Sequence, residues 1–295
     1  MSATTNEFIV SADVIGSVGD MITIGGKDYE VGVNAFASFV EALKNVIADT
    51  AAIVLSGDVT EDIPAEALTV TLAQDLEIKG EGVVTLNNGG YKRLTFAGAD
   101  VKFSGVELVA PKTQIIFGIA ATADAAAIPA NVEIASDALV SAYVVAVMEG
   151  SDVNVLEGGK FISTGEVMNI QGTLNATGSD SFDAKAEDLT ADDRQTVAHY
   201  TWGYGTINLT NNYNTIYSQL RLIGADSELN LDNARLEVGK TVAGEWLGNP
   251  AANGVGRLEI SEADAVFNLK NSSTLKVSGN VTNKGTLNID RKSVV

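Results

Sequence analysis

Two neighbouring stretches hold most of the side chains that could do chemistry. The run "SDSFDAKAEDLTADD" contains Asp180, Asp183, Glu187, Asp188, Asp192 and Asp193, and "HYTWGYG" just after it contains His199, Tyr200, Trp202 and Tyr204, with Tyr213 and Tyr217 following. A hard cation such as Ca²⁺ collects carboxylate oxygens, so Asp180, Asp183, Asp188, Asp192 and Asp193 are candidate calcium ligands. The run lacks the mid-loop glycine and closing glutamate of an EF-hand. The competing reading of these acids is a solvated loop. Tyr200, Trp202 and Tyr204 alternate, and on a strand they share one face, a platform that stacks on sugar rings or anchors a protein partner. Tyr213 and Tyr217 are candidates for the same ligand-binding surface, and the competing reading is a small satellite core.

Catalytic signals are thin. His199 is the only imidazole, the chain has no cysteine, and no Gly-x-Ser-x-Gly elbow or phosphate-cradling glycine loop occurs. Arg194 and Lys185 stand near the acids, but their neighbours "KAEDLTADDRQTVA" read as a flexible linker helix. No catalytic residue is assigned. No cofactor is expected beyond the candidate Ca²⁺.

Composition narrows the partners. The 295 residues are 45% hydrophobic, enough for a sizeable core, and carry a formal net charge of −19. Such a surface repels phosphate backbones and anionic headgroups, so nucleic acid is not an expected partner. The chain shows no apolar run of membrane-spanning length, and "MSATTNEFIV" lacks the features of a secretory signal.

The elements that would position these residues are short. Asn34 as N-cap and the spacing of Phe36, Phe39, Val40, Leu43, Val46 and Ile47 predict a helix over 35–47. Before it, "DMITIGGKDYEVG" predicts a hairpin turning at Gly25-Gly26. From residue 51 nearly everything alternates with period two between turn residues. "ADSELNLDN" at 225–233 matches "ADAVFNLKN" at 263–271, and "SDVNVLEGGKFISTG" is a looser copy. In the triplets Val153-Asn154-Val155, Leu229-Asn230-Leu231 and Phe267-Asn268-Leu269 the Asn faces out if its neighbours face in. Units this small bury a core only by stacking, which predicts an all-β solenoid of parallel strands, a β-helix, over an antiparallel sandwich.

The expected organisation is a hairpin and helix cap over 1–50, then a parallel β-helix over 51–295. Insertions are expected near 111–130, 179–217 and 241–256, the last containing Trp246 and Pro250.

The segment "NAFASFVEALKNVIADTAAIVLSGDVTEDIPAEALTVTLAQDLEIKGEGVVTL" resembles the start of right-handed parallel β-helix modules in large bacterial surface proteins. "GNVTNKGTLNID" resembles the coil repeats of autotransporter passengers and related adhesins. The resemblance implies a right-handed β-helix at the bacterial surface or outside the cell, with the helix capping its first coil. It also implies a rigid, non-catalytic stalk whose loops bind glycans, protein partners or neighbouring copies. A polysaccharide-active β-helix, a lyase or glycoside hydrolase, shares the coil pattern and is the alternative. The last repeat carries no cap, so end-to-end contact between copies, or a longer parent solenoid, is a further expectation, with Val281, Leu287 and Ile289 facing inward.

Overall fold

The computed structural model describes residues 7–63, 67–87, 92–239 and 256–295. The alternating segments form parallel strands in three stacks, designated A, B and C. One coil runs Asp152–Val155 in A, Lys160–Ser163 in B and Val167–Ile170 in C, and the next begins with Thr173–Thr177 back in A. Val132 pairs with Val153, and Val153 with Leu174, each step 21 residues along the chain. Side chains one coil apart therefore stack at the interstrand spacing of about 4.8 Å. The two matching repeats are adjacent coils: Glu228–Asp232 pairs in register with Val266–Lys270.

Period-two alternation puts one row of each strand inside. In stack A, Ile78, Phe103, Ile134, Val155, Ala176, Leu209, Leu231 and Leu269 follow one another in register and are all buried. Phe96, Phe103, Phe117 and Phe161 meet across the interior at centroid distances of 6.0 to 6.5 Å. Full burial of such side chains is worth roughly 1.5–3 kcal/mol each, so the repeated core outweighs any surface term.

The hairpin forms as expected, Met21–Ile24 against Lys27–Glu30, with Gly25 and Gly26 at positive φ. The helix is shorter than the periodicity suggests, Phe39–Lys44. Its N-cap is Ser38, whose side chain accepts from the Glu41 amide, whereas Asn34 accepts from the Glu30 amide in the preceding turn and Phe36 lies in a strand. Phe39, Val40, Ala42 and Leu43 bury into the same core as the coils. Glu7–Val10 pairs with Ala52–Leu55, so the N-terminal segment contributes a strand to stack A.

The excursions are narrower than the sequence texture implies. The strand Val101–Phe117 runs through the first expected insertion, leaving 118–130 outside the stacks. Only 178–193 leaves the coil in the second; Arg194–Gly203, Thr206–Thr210 and Tyr213–Leu222 are coil strands, and no helix forms over 185–198. Alternation resumes at Arg194 behind the acidic loop, where composition conceals it. Residues 241–255, with Trp246 and Pro250, lie outside the described residues.

Candidate binding face on stack C

The outer row of stack C collects the aromatic candidates. In the strand Arg194–Gly203, Thr201 is buried in register with Met168 and Leu220, so Tyr200 and Trp202 point outward and remain half-buried. Tyr204 follows in the turn and is 39% exposed. Tyr200 pairs with Val167 on one side and Gln219 on the other, and Gln219 with Arg257. Trp202 pairs with Asn169 and Arg221, and Arg221 with Glu259. The Arg221 Nε lies 3.0 Å from Glu259 Oε2, and Gln219 Nε2 donates to that oxygen at 3.4 Å. Ahead of the aromatics the same face mixes the apolar Ile116, Val144, Ala146 and Val167 with Arg93, Gln114 and Asn169.

Local packing fixes this edge. His199 is buried and its ring lies 4.1 Å from that of Tyr200, while its Nδ1 sits 3.4 Å from the Gly165 carbonyl. Gly165 is required there, because a Cβ would stand 1.8 Å from Cδ2 of Tyr143. The sole histidine thus braces Tyr200 rather than facing a substrate groove.

Tyr213 and Tyr217 belong elsewhere and are no part of a sugar platform, since both are buried on stack B. Tyr213 donates to Glu237 Oε2 at 2.9 Å and lies under the Arg235 guanidinium, 5.8 Å from the ring centre. Arg194 donates to the Tyr217 hydroxyl. The loop 178–193 folds over this polar cluster. Arg235 Nη1 donates to the Ala186 carbonyl at 2.6 Å, Asn233 reaches the Phe182 carbonyl at 2.9 Å, and Glu187 pairs with Lys276 at 3.1 Å. Burial works against the charge of Arg235, but Glu237, Glu187 and Tyr213 outweigh it and hold its pKa above the ordinary value.

The five candidate calcium ligands are all exposed and do not converge. Asp180 accepts from Asn211, Asp183 caps the Lys185 amide, and Asp193 takes both the amide and hydroxyl of Thr190, whose backbone bond lowers its pKa. Asp188 and Asp192 lie on the same loop, and among the described residues no three His, Cys, Asp or Glu side chains form a metal-sized group. Short local bonds let each acid serve its own turn.

Stack A carries a second surface that triplet reading only half disclosed. One outward row runs Glu77, Lys102, Glu133, Asn154, Asn175, Asn208, Asn230, Asn268 and Asn288 through successive coils. From Asn175 onward each amide donates to the oxygen of the one before at 2.8–2.9 Å. The charged end borders a depression of about 570 Å³ lined by Asp75, Glu77, Asp100, Lys102, Asn131 and Glu133. Its groups are committed to one another: Lys102 pairs with Glu133 at 2.8 Å and Asp100 accepts from Asn131 at 2.9 Å.

No family model, curated protein or solved structure matches the chain. Among the described residues no helix is long and apolar enough to cross a membrane.

Proposed function

We propose that the chain is a non-catalytic, extracellular surface module, a stiff right-handed β-helical stalk that binds glycans on the outer face of stack C. The observation that carries this reading is the outward, adjacent placement of Tyr200 and Trp202 on a rigid strand, flanked by Asn169, Gln219 and Arg221. Aromatic faces with polar groups beside them suit sugar rings, apolar on one side and hydroxylated at the rim. The bacterial adhesin setting follows the resemblance of the coil repeats, and the helix over Phe39–Lys44 takes the part of a cap on the first coil. Protein partners and end-to-end contact between copies are compatible with such a stalk. Val281 and Ile289, expected from the sequence to face inward, are 48% and 47% exposed.

A glycan array with the wild-type chain and the Tyr200→Ala and Trp202→Ala variants tests the reading. Binding lost in both variants supports it, and binding unchanged in both removes the platform. The enzymatic alternative would use the depression on stack A, where acids and Lys102 meet. Release of unsaturated products from uronate polymers would overturn the non-catalytic proposal.

A further inference from the structure

We infer that the glycan taken by stack C is a uronate polysaccharide, its rings over Trp202 and Tyr200 and a carboxylate on Arg257. This rests on the glycan reading above and adds the chemical class of the ligand. The observation is a segregation of charge. The chain has 38 acidic and 19 basic residues, yet among the described strands of stack C the charged side chains are Arg93, Arg221, Arg257 and Glu259. Stack A strands carry Glu7, Glu77, Glu81, Glu133, Asp152, Glu228 and Asp232 against three lysines. With Arg221 and Glu259 paired, Arg257 is the uncompensated charge beside the aromatics, and it suits an anion.

The register makes the fit specific. Tyr200, Gln219 and Arg257 are successive members of one row, so Arg257 lies about 10 Å from Tyr200 along the coil axis. Arg257 is exposed and makes no ion pair among the described residues, leaving its planar fork for a carboxylate. Arg221 stands beside Trp202 with its fork closed on Glu259, Nε 3.0 Å from Oε2 and Nη2 donating to Oε1 at 3.4 Å, so the carboxylate falls to Arg257. Asn169 Oδ1, in the row of Trp202, has no hydrogen-bond partner and accepts a sugar hydroxyl once its amide rotates. A uronate carries one carboxylate per ring, which the unpaired Arg257 beside the aromatics can take, whereas a densely sulfated chain crowds its further charges against Glu259. Peptide capture by strand addition is not offered here, because the strand holding Tyr200 and Trp202 is paired on both sides.

Calorimetric titration of the full chain with hexagalacturonate and with its methyl-esterified form isolates the charge. We expect the free acid to bind about tenfold more tightly, the scale of one charge-assisted hydrogen bond. Arg257→Gln should remove that advantage and leave the ester unaffected, and Trp202→Ala should weaken both. Arg257 is exposed, so its variant keeps the core. Equal binding of acid and ester, with Trp202→Ala still weakening both, overturns the uronate assignment and leaves the glycan reading standing. Binding of neither form overturns the assignment, while the array decides the glycan reading separately. Tighter, Arg257-dependent binding of a heparin hexasaccharide or of polyglutamate also overturns it.

Discussion

The hydroxyl of Tyr213 donates to Glu237 Oε2 at 2.9 Å, and Glu237 Oε1 in turn accepts from Arg235 at 2.7 Å, all three side chains being buried. An outward tyrosine on a coil strand becomes interior here because the loop 178–193 lies over it. Breaking a buried pair leaves an uncompensated charge, which costs about 3–5 kcal/mol. Glu237→Ala is expected to destabilise the chain by about that much in denaturant unfolding, and Tyr213→Phe by about 1 kcal/mol.

A second prediction concerns the helix start. Ser38 accepts from the Glu41 amide at 3.0 Å, and Glu61, from the first stack B strand, accepts from the Val40 amide at 3.0 Å and from the Ser38 hydroxyl. The cap is thus shared between the helix and the coil. Ser38→Ala should cost about 1 kcal/mol. Glu61→Gln should cost less than Glu61→Ala, as measured by thermal unfolding.

The coil was legible and its coverings were not. Leu-Asn-Leu and Phe-Asn-Leu disclosed the inward rows and the outward Asn, because period two is a local property. Asn34 and Ser38 both suit an N-cap, and the choice fell on Ser38 because Glu61, distant in sequence, shares its end of the helix. Tyr200 and Tyr217 looked alike as aromatics near a loop. Which one the loop covers depends on long-range contacts such as Arg235 to Ala186, 49 residues apart. The arginine bias of stack C was invisible until register aligned Gln219 with Arg257, 38 residues on.

The asparagine ladder should show its directionality in stability. Asn208 donates to Asn175 and accepts from Asn230, whereas Asn288 donates to Asn268 and is exposed. Each such bond contributes about 0.5–1.5 kcal/mol net. Asn208→Ala should therefore destabilise about twice as much as Asn288→Ala in urea unfolding, and equal costs would remove the cooperative ladder.

The loop over the polar cluster should loosen in acid. The hydrogen bond and charge of Lys276, with Arg235 behind it, hold the Glu187 carboxyl below its ordinary value of 4.5. A carboxyl depressed in the folded state contributes stability above its unfolded pKa and loses it as pH falls through the folded one. Hydrogen exchange of amides in 183–190 should be slow at neutral pH and accelerate, beyond the intrinsic pH effect, only once the pH drops below 4.5. Glu187→Gln should remove that extra acceleration. Loosening that persists unchanged in the variant would place the acid sensitivity on another carboxylate, with Asp193, held low by Thr190, the next to replace.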